Sequence, residues 1–107
     1  MAYLDDFLTQ FSTTGATSYA LTLPDHVAND IIVVAANADG GVALSVGTSG
    51  WAQIGVTQIS AATSSSGIWW KRAAGSSEAC TITMGTADAI NVSMFVIKDV
   101  DTTTAID

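Results

Sequence analysis

The chain of 107 residues has the length of one domain and is long enough to bury a core without metals or disulfides. The net charge is −7, and only three residues are Lys or Arg, which argues against binding to nucleic acid or to an anionic membrane. Cys80 is the only cysteine, which excludes an intrachain disulfide, and no apolar run approaches the roughly 20 residues of a membrane span. Ser and Thr fill most polar positions, a composition typical of strands rather than helices.

The N-terminal segment, residues 1–14, differs in pattern from the rest of the chain. Its apolar residues fall at helical spacing, so we predict a short arm or helix ahead of a β-domain in residues 15–107. A single short helix is marginal alone and must dock on something, either its own domain or a neighbouring subunit. The side chains that would make this contact are Leu4, Phe7, Leu8 and Phe11.

The remainder of the chain has the pattern of strands separated by turns. Turn signals recur at intervals of roughly 8 to 12 residues, which favours an antiparallel sandwich or barrel. No helical pattern lies between the strands, so the sequence excludes βαβ units. The seven predicted strands lie in SYALTLP, DIIVVAANAD, VALSV, WAQIGVTQIS, IWWKRAA, ACTITM and INVSMFVIKDV.

Catalytic and metal-binding patterns are missing from the sequence. His26 is the only histidine and is predicted to be a solvated loop residue; Cys80 is predicted to be buried and unreactive. Asp99 and Asp101 would share a face if the last strand continued, either beside a calcium ion or simply capping a turn. Glu78 follows GSS and is predicted to be a turn residue. We therefore expect no enzymatic activity, no metal and no cofactor.

Trp69 and Trp70 are adjacent, so on a strand they must serve opposite faces. Lys71 then shares a face with Trp69, and Arg72 shares one with Trp70. There are three alternatives for the tryptophans. One tryptophan lies in the core and the other is covered by the aliphatic part of Lys or Arg, or the outward tryptophan contacts a protein. In the third alternative, Trp69 or Trp51 stacks on a sugar. We predict that Trp69, Trp70, Lys71 and Arg72 form an aromatic–basic patch for contact with a partner.

Five blocks carry a resemblance: SYALTLP, DIIVVAANADGG, SGWAQIG, IWWKRAAGSSE and IKDVDTTTAID. In this order and spacing, over residues 17–107, the chain resembles a jelly-roll-like β-sandwich module of tailed-bacteriophage virion proteins. Its more specific parts are Ser49–Trp51, Trp70–Glu78 and Val100–Asp107. The chain departs from that module at Thr48 and Ala105, where relatives often have proline, and relatives continue past the closing block.

The resemblance implies an antiparallel, jelly-roll-like sandwich of about seven to eight strands and no catalytic residues. It implies a structural protein of the virion, a capsid decoration or tail-fibre component that binds other virion proteins or copies of itself. The alternative function is a carbohydrate-binding or host-adhesion module for a host-surface glycan. Asp5 and Asp6 stand where a signal peptide would be positively charged, so we expect synthesis in the bacterial host cytoplasm and no export by that route.

Overall fold

The computed structural model describes residues 2–60 and 63–100, and in these residues the protein is all-β with no helix. The all-β prediction is therefore confirmed. Six strands account for the regular structure of this part of the chain: β1 (Tyr3–Ala20), β2 (Ile31–Asp39), β3 (Leu44–Val46), β4 (Ala52–Ser60), β5 (Ser64–Arg72) and β6 (Thr81–Lys98).

The strands form one antiparallel sheet in the order β1-β6-β2-β5-β4. Strand β3 lies off this path and pairs with the first part of β6, so β2 and β3 follow each other along the same edge of that strand. The described strands are thus hydrogen-bonded into a single sheet. The two-sheet, jelly-roll sandwich expected from the sequence is not seen.

The prediction of an N-terminal helix is wrong. Strand β1 starts at Tyr3, runs through position 14 and pairs with β6 from Tyr3↔Lys98 to Ala20↔Thr81. A spacing of four residues, as between Phe7 and Phe11, puts two side chains on one side of a strand as readily as on one side of a helix. The segment packs on its own domain, the first of the two alternatives.

Two predicted strands, ACTITM and INVSMFVIKDV, belong to one long strand, because β6 continues through the expected turn GTADA. Both strands are irregular here: the extra residues lie in β1 between Ser12 and Ala16, and in β6 between Thr83 and Asp88. The Tyr19 hydroxyl holds this region: it accepts from Ala16 N–H at 3.0 Å and donates to the Asp88 carbonyl at 2.7 Å. The expected turn is therefore an irregular part of one continuous strand rather than a break between two strands.

The core lies on one face of the sheet. Alternate residues of β2, β5 and β6 are buried there. Four further side chains pack against them: Leu44 and Val46 of β3, and Leu21 and Leu23. Cys80 lies in this core, and burial raises the pKa of its thiol to about 12, so the thiol stays protonated at neutral pH. Its predicted burial is confirmed. The largest members of the core cluster are Val34, Val42, Leu44, Trp69, Ile82, Met84, Ile90, Val92 and Met94.

Candidate interaction surface

The tryptophan pair divides between the two faces of β5, as the alternation predicts. Trp69 lies in the core with 3% of its surface exposed, while Trp70 is half-buried on the opposite face. Trp69 packs so closely over Gly67 that a Cβ there would lie 2.5 Å from the ring atom Cη2. Trp69 is therefore a core residue, and its predicted role as a partner contact is wrong.

Trp51 is partly buried at the rim of the core. It packs against the core, and its indole N–H donates to the Ala79 carbonyl at 2.9 Å. The two tryptophans considered as sugar platforms, Trp51 and Trp69, thus both contribute to packing.

Lys71 belongs to a cluster that joins two loops. Its Nζ lies 2.6 Å from Glu78 Oε1, and the other oxygen of Glu78 accepts from Ala74 N–H at 2.6 Å. The Lys71 ammonium first, and then the Ala74 N–H, lower the pKa of the Glu78 carboxyl below its ordinary value. The predicted turn residue is thus also the partner of a basic side chain.

His26 completes this cluster, and the prediction that it is solvated is wrong. Its side chain is buried, with Nδ1 2.7 Å from the Pro24 carbonyl oxygen and Nε2 accepting from the Glu78 backbone N–H at 3.1 Å. Since Nε2 accepts a hydrogen bond, the ring proton is on Nδ1, which donates to Pro24. His26 therefore fixes the loop after Pro24 to the segment before β6.

The other two basic residues also have partners within the chain. Lys98 Nζ lies 2.7 Å from Asp30 Oδ2, which also accepts from Val27 N–H at 2.9 Å. Burial alone would raise the pKa of Asp30, but the hydrogen bonds from Lys98 and Val27 outweigh it and hold that pKa below its ordinary value. The Asp30 carboxylate in turn raises the pKa of Lys98.

Arg72 donates from Nη1 to the Asn29 carbonyl at 3.0 Å. It lies on the face of Trp70, whereas Lys71 lies on the face of Trp69, as predicted. The four residues predicted as one aromatic–basic patch are therefore split between two faces.

The sheet has a second face, opposite the core, which we call the open face. Strand β1 contributes Phe7 and Phe11 to it, with 53% and 74% of their surfaces exposed. Phe7 stacks on Phe95 of β6 with ring centroids 5.6 Å apart. A register shift after Leu4 brings that side chain to the same face. The apolar members of the open face are Leu4, Phe7, Phe11, Val33, Ala35, Ile54, Ile68, Trp70, Phe95 and Ile97.

Three of the four predicted N-terminal contact residues therefore lie together, although on a strand. Leu8 does not join them: it pairs with Met94 and lies on the core side at the sheet edge. Sequence reasoning missed Ile54, Ile68 and Phe95 as members of the same surface. The alternation of side chains within each strand indicates which residues share one side of that strand. Whether residues of different strands share a face depends on pairing between distant segments, which the sequence does not show.

Charge is confined to the ends of the open face. Among the described strand positions on this face, Arg72 lies at one end and Asp39 at the other, with no Asp, Glu, Lys or Arg in the rows between them. Asn37, Ser66, Asn91 and Ser93 supply the polar groups there. The open face is therefore a nearly uncharged surface on an acidic protein.

The open face is also uneven. Small side chains at Ala35, Asn37, Ser66 and Ser93 form the floor of a trough of about 430 Å³, bordered by Ile54, Val56 and Ile68. A second hollow of about 490 Å³ lies at the Asp39 end, beside Phe11. Strand β1, with its phenylalanines, stands as a ridge on the side of the sheet away from β4.

Within residues 2–60 and 63–100, no three His, Cys, Asp or Glu side chains lie close enough to hold a metal ion. Asp99 is exposed after β6 with φ of 57°, and Asp101 lies outside the described residues. The described part of the chain has no helix that could cross a membrane. No protein-family model, curated protein or solved structure matches the chain.

Proposed function

We propose that this chain is a non-enzymatic structural protein of a bacteriophage virion, a capsid decoration or tail-fibre component. It acts through contacts with other virion proteins or with copies of itself. The observation that carries the proposal is the open face, where large apolar side chains from five neighbouring strands share one exposed surface. Contiguous apolar surface of this kind marks interaction sites in soluble proteins.

The proposed mechanism is burial of the open face during assembly. Removing a Phe, Leu or Ile side chain from water contributes about 1.5–3 kcal/mol, and the open face holds several such side chains only partly covered. Part of this gain is offset by lost rigid-body and side-chain freedom. In a symmetric particle the same modest contact is repeated many times, which makes the assembly stable. The ordered sequence blocks that resemble tailed-phage virion modules supply the setting.

The test is to locate the chain in purified particles of the phage that encodes it. Quantitative mass spectrometry should find it at many copies per particle, and a Phe7→Asp variant should fold but be depleted from the particles. The matched control is Val27→Asp, because Val27 is 55% exposed, close to the 53% of Phe7, and lies in the loop before β2. Absence of the wild-type chain from the particles would refute a virion role, and equal incorporation of both variants would refute the role of the open face.

A further inference from the structure

We propose that the open face is a homodimer interface, in which it packs against the open face of a second copy about a two-fold axis parallel to the strands. The inference deepens the proposed function and rests on it for the biological setting. It identifies the first partner that binds the open face as a second copy of the same chain.

Charge is the first argument for a second copy. Two chains of net charge −7 repel each other wherever their acidic surfaces meet. The open face lacks charged side chains between its Arg72 and Asp39 ends, so two copies in contact there would keep most carboxylates directed away from each other. A basic partner would gain little from this surface, whereas an uncharged one, such as the same face, fits it.

Shape is the second argument, because the open face is complementary to itself. The ridge of β1 and the trough beside β4 lie on opposite sides of the sheet, whose strand order is β1-β6-β2-β5-β4. A two-fold rotation about an axis along the strands places β1 of one copy over β4 of the other. Phe11 lies at the same level along the strands as Ser66 and Gln58, so it then faces Gln58 at the end of the partner's trough, and the symmetric contact forms at the same time.

Area is the third argument. Five strands spaced at about 4.8 Å make the open face about 24 Å wide. The paired run Ile31–Ala38 makes it about 27 Å long at about 3.4 Å per residue. The flat product is about 650 Å², and side-chain relief brings the accessible area near the roughly 800 Å² per partner of a standard stable interface. Two packed sheets of this size form the aligned arrangement seen in sandwich cores.

The β4 edge is the rival route to self-association, and its backbone argues against it. Pairing between β4 and β5 is interrupted between Ile54 and Gln58, where Gly55 has φ of +72°. Such a bulge bends an edge strand and prevents it from adding a further strand in regular register. Strand β1 forms the other edge of the sheet, and its pairing is also interrupted, after Leu4 and after Ser12. The open face is left as the self-complementary surface.

Sedimentation of the full chain over micromolar concentrations tests the proposal. Wild type should be a dimer, and Phe11→Asp and Gln58→Lys should each weaken it at least about 100-fold, because each buries unpaired charges in the symmetric contact. Mixing these two variants should restore a one-to-one dimer, since Asp at position 11 then meets Lys at position 58. Val27→Asp should dimerise like wild type.

Far-UV circular dichroism of each variant checks that the fold is retained, which both exposed positions should permit. A monomeric wild type, a dimer that Phe11→Asp does not weaken, or a mixture of variants that stays monomeric would each overturn the proposed interface. A monomer that is still incorporated into virions would refute the dimer and keep the proposed function. A dimer that shows the predicted variant behaviour but is absent from virions would support the dimer and refute the proposed function.

Discussion

At position 69 the indole fills the centre of the core, whereas at position 70 it lies half-buried on the open face. Trp69→Ala should therefore lower the free energy of unfolding by about 3–5 kcal/mol, because it leaves a large cavity. Trp70→Ala should cost less, about 1–2 kcal/mol, because its ring is only partly buried and its removal leaves a gap at the surface rather than an enclosed cavity. Urea unfolding followed by far-UV circular dichroism measures both values.

Self-association would add its own free energy to these values, so the comparison is best made in the Phe11→Asp background. Equal losses for the two variants would contradict the assignment of Trp69 to the core and Trp70 to the open face. A second substitution tests the same packing, since Gly67→Ala must displace the rigid Trp69 ring and should cost about 1–3 kcal/mol.

The carboxyls of Asp30 and Glu78 predict that the free energy of unfolding falls at acid pH, a fall that we call the acid limb. Their hydrogen-bonded lysines hold both pKa values in the folded chain below the ordinary values. The unfolded chain then binds more protons than the folded one as pH falls through about 4, so stability is lost in that range. Thermal unfolding as a function of pH measures this limb.

Removing a partner should flatten the acid limb. Glu78→Gln and Lys71→Gln should each lower stability at pH 7 and reduce the loss between pH 5 and pH 3, because both abolish the same ion pair. An acid limb unchanged in both variants would show that this pair does not stabilise the fold.

At the level of the strand, the bulge in β4 depends on a backbone conformation that suits glycine. Gly55 has φ of +72°, and a Cβ there would meet nothing within 4 Å, so Gly55→Ala should cost about 1–2 kcal/mol from backbone strain alone. Gly75 provides the matched control, since its surroundings are equally open and its φ is not in the left-handed region. Gly75→Ala should be neutral or slightly stabilising.

The measurement is the difference in urea midpoint between the two glycine variants. If Gly55→Ala is as stable as Gly75→Ala, the positive φ at position 55 is not required by the fold. A larger tendency of Gly55→Ala to aggregate would indicate that the bulge also protects the β4 edge.

Strands whose signal is local could be predicted from the sequence, and those defined by distant pairing could not. The apolar run of β2 and the alternation at Trp69 and Trp70 identify a central strand and two faces. The start of β1 has the spacing of a helix, and the partners that make it a strand lie about 80 to 95 positions away, from Asn91 for Phe11 to Lys98 for Tyr3. The same limit hides the burial of His26, which depends on the Glu78 backbone, and the place of Ile54 on the open face, which depends on β5.

The molecule as a whole has an uneven distribution of charge and apolar surface. Its carboxylates exceed its basic groups by seven, and each of those basic groups is engaged within its own chain by a carboxylate or a backbone carbonyl. Two of the three cations are therefore paired with a carboxylate of their own chain, and the third, Arg72, lies at one end of the open face. Association must come from the uncharged open face and must overcome the repulsion of the rest of the surface.

This balance gives the proposed dimer a salt dependence of definite sign. Raising the ionic strength from about 0.05 M to about 0.5 M shortens the Debye length from about 14 Å to about 4 Å and screens repulsion between the two acidic copies. The dissociation constant should fall by about 3- to 10-fold, measured by sedimentation with sodium chloride as the only variable. Lys98→Gln, which makes each copy more acidic without touching the open face, should steepen the dependence. A dimer that weakens with salt would instead be held by ion pairs and would contradict an interface formed by the open face.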